Sequence, residues 1–359
     1  MSQIRTYAII GCGMMGREHM RNIALVDGAG LIAIADPDAR SREAAQVQAD
    51  ALGQTIRCFD DNAAMLAEAK PDAVIIASPN FTHFEVVQPV VDAGCAVLLE
   101  KPMCTDMADA EALAKTARGY ANLFWVGLEY RYMPPVTSFV ERVHAGEAGD
   151  IKMLAIREHR FPFLEKVGDW NRFNRNTGGT LVEKCCHFFD LMRHILRDEP
   201  VRVFASGAQD VNHLDERYDG AVPDIIDNAF VMVDFAGGGR AVLDLCMFAE
   251  GSEQQEEISA VGPVGKIEVK LPAGEVTWSP RDKSGPFVDT VETPQDALEA
   301  GSHHGATYFQ LRDFHAALTG GTPPLIDARD GYRSVVMGAA AQQSIATGLP
   351  VDIHFADEV

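Results

Sequence analysis

Residues 7–16 read YAIIGCGMMG. Residues 7–10 are a short β-prone apolar run, and Gly11-Cys12-Gly13-Met14-Met15-Gly16 follows at the head of a segment with helical period. A strand that passes through G-x-G-x-x-G into a helix is a dinucleotide cradle. The first glycine makes the tight turn, the second lets backbone N–H groups approach a pyrophosphate, and the third lets helix pack on strand. The next apolar run, 31–35, ends at Asp36, twenty residues after Gly16. A carboxylate there accepts hydrogen bonds from the adenosine ribose hydroxyls and repels a 2′-phosphate, so NAD is expected over NADP. Arg40 and Arg42 lie just beyond and would relieve part of that repulsion if they faced the ribose. They are read instead as solvent-facing charge on the following helix.

Working outward, the same alternation continues to about residue 124. Strand-like runs at 73–77, 96–99 and 123–126 are separated by amphipathic stretches, which predicts βαβ units. Asp60 and Asp61 offer an N-cap before NAAMLAEA, and Gly94 closes the helix that starts near Phe81. Residues 1–124 are therefore expected to form an α/β Rossmann domain with a doubly wound parallel sheet. Beyond residue 150 the texture changes to longer strand-like segments at 151–159, 201–208, 227–235, 240–247 and 257–261, interrupted by one helix over 181–196. Residues 125–359 are expected to form an α+β domain with a large, mostly antiparallel open sheet, closed by helices at 308–318 and 330–347. This domain would bind substrate and, through the open sheet face, build a homo-oligomer, a dimer or tetramer.

The 359 residues carry a formal net charge of −21, with 47% hydrophobic and 23% charged residues. Phosphate-backbone binding relies on Lys and Arg, so nucleic acid is not an expected partner. No run approaches the ~20 apolar residues of a membrane span, and MSQIRTYAIIG shows no cleavable signal pattern. The seven cysteines contain no C-x-x-C, which argues against a disulfide framework or structural zinc and for a cytoplasmic setting.

Three further motifs stand in order. Ser78-Pro79-Asn80-Phe81-Thr82-His83 follows one strand, Glu100-Lys101-Pro102 follows the next, and Gly178-Gly179-Thr180-Leu181-x-Glu183-x-x-x-His187-x-x-Asp190 opens the later helix. In this order and spacing the whole chain resembles the glucose–fructose oxidoreductase / inositol dehydrogenase / MocA family. The resemblance implies that Lys101 and His187 are a catalytic pair. Their chemistry agrees: imidazole is a general base near neutral pH, and a lysine at a strand's carboxyl end can hold a substrate oxygen as negative charge develops. The family usually has Asp where this chain has Glu183. Spacing of four would put Glu183 on one helical face with His187, to orient the imidazole, relay its proton or bind a substrate hydroxyl.

The expected cofactor contacts are Gly11, Gly13, Met14, Met15, Gly16, Asp36, Ser78, Asn80, His83, Glu100 and Lys101. For His83 a purely structural role stands beside the cofactor role. Asp190 and His194 continue the helical face, but no metal is expected. The family handles sugars and cyclitols, so a polyhydroxylated small molecule is the implied substrate. Tyr130, Arg131, His159, Trp170, Arg172 and His304 are expected to read its hydroxyls beside Lys101, Glu183 and His187. Residues 157–175 hold Arg157, Arg160, Lys166, Arg172 and Arg175, and this local positive bias would serve either an anionic substituent on the substrate or an interdomain contact. The implied reaction is NAD-dependent oxidation of a secondary hydroxyl. The alternative is a glycosidase that retains NAD and oxidises its sugar transiently, without net NADH.

Overall fold

In the computed structural model, which describes residues 4–301, 303–356 and 359, strand and helix alternate through the first unit. Residues 1–3 of the leading MSQIRTYAIIG lie outside the described residues. The elements are β1 (Arg5–Ile10), α1 (Met14–Leu25), β2 (Ala29–Ala35), α2 (Ala39–Ala51), β3 (Arg57–Phe59), α3 (Asn62–Ala69), β4 (Ala73–Ile76), α4 (His83–Asp92), β5 (Ala96–Leu99), α5 (Met107–Arg118) and β6 (Phe124–Val126). The strands pair in parallel in the order β3-β2-β1-β4-β5-β6. Winding reverses between β1 and β4, and open sheets of this kind bind ligands in the crevice at that switch. β4 and β5 are buried along their whole length, so they read as continuous apolar runs rather than alternating ones. The short edge strand β3 carries no such signal, because Arg57 and Cys58 are exposed. Asp61, not Asp60, caps α3, accepting from the Ala64 N–H at 2.7 Å. β6 runs to Val126, so a boundary at 124/125 falls inside the last strand of the sheet.

The second unit contains α6 (Pro134–His144), β7 (Met153–His159), α7 (Asn174–Thr177), α8 (Thr180–Glu183), α9 (Cys186–Leu196), β8 (Pro200–Ala208), β9 (Asn228–Phe235), β10 (Arg240–Cys246), β11 (Glu256–Val261), β12 (Gly265–Leu271), β13 (Glu275–Pro280), β14 (Phe287–Thr290), α10 (Gln295–Ala300), α11 (Ala306–Gly320), α12 (Ala328–Thr347) and β15 (Val351–Asp352). Its sheet is ordered β14-β13-β12-β11-β7-β10-β9-β8-β15, antiparallel except between β7 and β10. One face is buried: α6 packs on β12 and β13, and α12 on β8. The other face presents Met153, Phe230 (64% exposed), Met232 and Val242 to solvent. α12 also packs on α5 and β6, and α11 on α1, so the C-terminal helices clamp both units.

The single helix expected over 181–196 is broken at Lys184 and Cys185. Gly178 and Gly179 precede it at φ 77° and 91°. A Cβ there would stand 2.4 Å from the Thr105 carbonyl oxygen and 1.8 Å from the Gln342 side chain. The glycine pair thus lets this segment pass between the two units.

Arg131, expected at the substrate, is engaged elsewhere. Its Nε donates to Asp190 Oδ2 at 2.7 Å, its Nη2 to Asp190 Oδ1, and Asp330 of α12 lies 3.2 Å away. The Arg131 and Asp190 side chains are 8% and 1% exposed. Removing one partner of a buried pair leaves an uncompensated charge, at a cost of about 3–5 kcal/mol. Asp190→Ala is therefore expected to lower unfolding free energy in urea by roughly that amount. A loss below about 1 kcal/mol would show that the pair contributes little to the stability of the fold.

Candidate active site

The cradle forms where β1 turns into α1. Gly11 has φ 92°, and a Cβ there would lie 2.5 Å from Ser78 N. A Cβ on Gly16 would lie 2.0 Å from the Gly11 carbonyl oxygen, whereas one on Gly13 would meet nothing within 4 Å. Gly11 and Gly16 are therefore packing requirements, and Gly13 opens the backbone to a cavity of about 680 Å³. Met14 and Met15 line the same cavity. Asp36 accepts from Cys12 N at 2.6 Å and from Asp38 N at 2.9 Å, which ties the glycine turn to the end of β2. Its carboxylate lines the cavity, as recognition of a ribose requires. Neither Arg40 nor Arg42 lines the cavity: Arg40 is exposed, and the half-exposed Arg42 donates its Nη1 to the Asp36 and Pro37 carbonyls at 2.7 and 2.9 Å.

At the other end the two units meet. Ser78 and Asn80 follow β4, and Glu100 and Lys101 follow β5. All four line the cavity, and Glu183 and His187 enter it from the second unit. Glu100 Oε1 is 2.7 Å from the buried His19 Nε2. Lys101 Nζ donates to the Glu183 carbonyl oxygen at 3.4 Å. Asn80, Glu183 and His187 are buried at this end; Asn80 lies within hydrogen-bonding reach of the Glu183 carboxyl, and both ring nitrogens of His187 lack a protein partner. Buried polar groups are normally paired, so these nitrogens are what a bound substrate would satisfy. The residues fit a dinucleotide along the whole cavity.

Burial, with Lys101 and Lys184 beside it, holds the His187 imidazole well below its usual range. Burial pushes the Glu183 carboxyl up to about 6, against the pull of Lys101, Lys166 and Arg172. The expected helical face shared by Glu183 and His187 is not formed, because the helix breaks between them and both imidazole nitrogens stay unpartnered. The ring is held by stacking on Tyr130, with centroids 4.0 Å apart and planes 9° from parallel.

Other expected contacts fall differently. Tyr130 lies behind His187, its hydroxyl taking a hydrogen bond from Lys184 Nζ at 2.5 Å, so it supports the site without lining the cavity. His83 is buried between the Pro102 and Ser78 carbonyls at 2.9 and 3.0 Å, joining the two strand-end loops rather than touching cofactor. His159 lies on the outer face of the sheet against Asp244 at 3.1 Å. Arg172 is turned to Glu216 at 3.0 Å, and His304 to Glu256 at 3.8 Å. Trp170 does line the cavity and meets Phe81 edge to face across the units, centroids 6.0 Å apart. Of the adjacent pair His303 and His304, both candidates by sequence, His303, 3.0 Å from Glu129, is the one that lines the cavity.

Arg160, Phe163, Leu164 and Lys166 also line the cavity from an irregular segment after β7. That stretch has no periodicity, and only its cluster of basic residues pointed to it. Asp190 is taken by Arg131, and His194 rests edge-on against His144. Among the described residues no group of three or more His, Cys, Asp or Glu is placed to hold a metal ion.

Comparison with known proteins gives the same picture. Residues 5–128 match the model of an oxidoreductase family's NAD-binding Rossmann fold, and residues 140–353 match the model of that family's C-terminal alpha/beta domain. The chain is 26% identical over 355 residues to a myo-inositol 2-dehydrogenase of Thermotoga maritima, covering 94% of this chain and 95% of that one. Among solved structures, an oxidoreductase domain protein from Kribbella flavida superposes with a TM-score of 0.86 at 21% identity, covering 99% of this chain and 100% of that one. A levoglucosan dehydrogenase in complex with NADH and levoglucosan superposes with a TM-score of 0.84 at 20% identity, covering 97% and 99%. At that identity the structural likeness speaks for the fold alone. The two family models, matched in order, leave little of the sequence uncovered, and the chain belongs to the Gfo/Idh/MocA family of NAD-dependent oxidoreductases.

Proposed function

We propose that this protein oxidises a secondary hydroxyl of a sugar or cyclitol, with Lys101 and His187 as the catalytic pair and Glu183 beside them. The observation that carries the reading is the convergence of Lys101, Glu183 and a His187 with both ring nitrogens unpartnered on one cavity. Relatives named as inositol dehydrogenases support it. In this reading the first unit holds the cofactor, and the remainder binds substrate and oligomerises in the cytoplasm through the exposed Met153, Phe230, Met232 and Val242 face.

The proton and the hydride leave the alcohol separately. Bound NAD supplies the acceptor for the hydride. The Lys101 ammonium holds the substrate oxygen and stabilises the charge that grows on it. His187, neutral before reaction, takes the hydroxyl proton on a free ring nitrogen. The ionised Glu183 offsets the positive charge that the imidazole then acquires.

Lys101→Ala is expected to lower kcat by roughly 100- to 1,000-fold while NAD binding, followed by calorimetry, persists. Near-normal turnover would remove Lys101 from the mechanism. For the cofactor end, Asp36→Ala is expected to weaken NAD by about tenfold or more, since a charge-assisted hydrogen bond is lost, and to weaken NADP less. Equal losses for both would take Asp36 out of ribose recognition.

The pH dependence follows from Glu183. Its carboxyl, pushed up to about 6, is ionised above that pH and protonated below it. His187, held well below the usual imidazole range, stays neutral across the same window. Thus kcat/KM should fall on acidification through about pH 6, and Glu183→Gln should remove that limb. An unchanged acid limb in the variant would assign it to another group.

A further inference from the structure

Both ring nitrogens of His187 lack a protein partner. A histidine that serves as a base is ordinarily oriented by a carboxylate or carbonyl on its far nitrogen. Here the carboxylate stands behind a second histidine of the same cavity. His303 lies between α10 and α11, where it and His304 take left-handed backbone angles of φ 56° and 55°. Such angles are uncommon outside glycine and persist where the surroundings require them. The turn leaves His303 lining the cavity and His304 beside Glu256.

The ring of His303 is held from behind. Its Nδ1 is buried 3.0 Å from Glu129 Oε1, and neither atom has a second partner among the described residues. Glu129, in the turn after β6, is 1% exposed, and its other oxygen lies 2.5 Å from the Thr307 hydroxyl. Against the push of burial, His303 and Thr307 hold this carboxyl below its usual range, so a fixed negative charge backs the ring. An Nδ1–H on the Glu129 side leaves the Nε2 lone pair as the edge presented to the cavity. The ring centroid is 5.6 Å from that of Tyr130 and 6.5 Å from that of His187. The second distance excludes a direct hydrogen bond between the imidazoles and leaves room for one bridging water or substrate hydroxyl. The two rings also differ in what surrounds them. Burial, Lys101, Lys184 and Arg160 oppose a charge on His187, and so does a charge on His303. Glu129 favours a charge on His303. The pair therefore carries one proton between them, and the carboxylate draws it toward His303.

We propose that His303, with Glu129 behind it, is the acceptor to which His187 passes the substrate proton. The inference rests on the dehydrogenase reading and extends its proton path. The lone-pair nitrogen of His187 takes the hydroxyl proton, its other nitrogen gives up its own through the bridging oxygen, and Nε2 of His303 receives one. One N–H bond breaks as another forms, and no electrons are exchanged. The proton leaves His303 for water when product departs. Two free nitrogens on His187 are what such a relay needs, and a carboxylate on either would block it.

The test begins with wild type, NAD and a panel of myo-inositol, scyllo-inositol, D-glucose and levoglucosan, and takes the compound that yields most NADH as substrate. Asparagine and glycine accept left-handed backbone and do not titrate, so His303→Asn and His303→Gly are the variants. NAD binding by calorimetry checks that each is folded. Both are expected to lower kcat by roughly 100-fold with little change in KM. The solvent deuterium isotope effect on kcat should rise, since removal of the proton becomes the slow step. Free imidazole should raise the kcat of His303→Gly by about tenfold or more, saturating with its concentration.

A kcat within about threefold of wild type in both variants would overturn the proton path and leave the dehydrogenase standing. A loss confined to KM would do the same, and would make His303 a reader of a substrate hydroxyl. So would a lowered kcat with no imidazole rescue and an unchanged solvent isotope effect, which would make His303 part of the cavity wall. No NADH from any compound would overturn the dehydrogenase reading, and the proton path with it.

Discussion

The stacked rings of Tyr130 and His187 hold the imidazole where no hydrogen bond does. With both nitrogens unpartnered, its orientation depends on a face-to-face contact at 4.0 Å. That contact depends in turn on Tyr130, whose hydroxyl is fixed by Lys184, and on Lys184, whose ammonium is fixed by Glu158 in β7. The position of one ring is thus traced back, through three side chains, to the centre of the nine-stranded sheet. A ring held this way leaves its one lone-pair nitrogen free to accept a proton and its N–H free to donate.

The arrangement carries an energetic cost that the fold has to offset. Glu158 and Glu256 face each other across β7 and β11 on the buried side of the sheet. Two like charges in register there would destabilise the pair, and burial, with Glu256 adding to it, pushes the Glu158 carboxyl up to about 7 even with Lys184 and Arg160 nearby. The cations that answer these carboxylates also crowd His187 and keep it neutral. One electrostatic cluster therefore does two things: it allows buried carboxylates in the sheet and disfavours a charged imidazole in the resting enzyme.

Much of this was legible in the sequence where chemistry and spacing are local. The glycine turn, Asp36 and the strand-end Lys101 could be placed from period and motif alone, because a parallel sheet carries its strand-end residues to one edge. The substrate side was less legible. Arg131, His159, Arg172 and His304 are polar residues of the right kind, but each meets a carboxylate from a distant part of the chain: Asp190, Asp244, Glu216 and Glu256. No window of sequence contains both partners. The helix break at Lys184 and Cys185 was hidden because the 181–196 period runs through it unbroken. Lys166 showed only as part of a charge count.

The residues that line the inner end of the cavity are divided between the units, with Asn80 and Lys101 on one and Glu183 and His187 on the other. Neither unit alone contains a site, so catalytic geometry can be no more precise than the contact between them. Hydride transfer is sensitive to misplacement of this kind, where a shift of about 1 Å can cost a hundredfold. This gives a physical reason for the density of the connections: the passage of α12 over α5, β6 and β8, the packing of α11 on α1, and the Phe81–Trp170 contact at the cavity. Interfaces between domains of one chain are ordinarily polar and mobile. Here the interface is buried, as a site assembled from both sides requires.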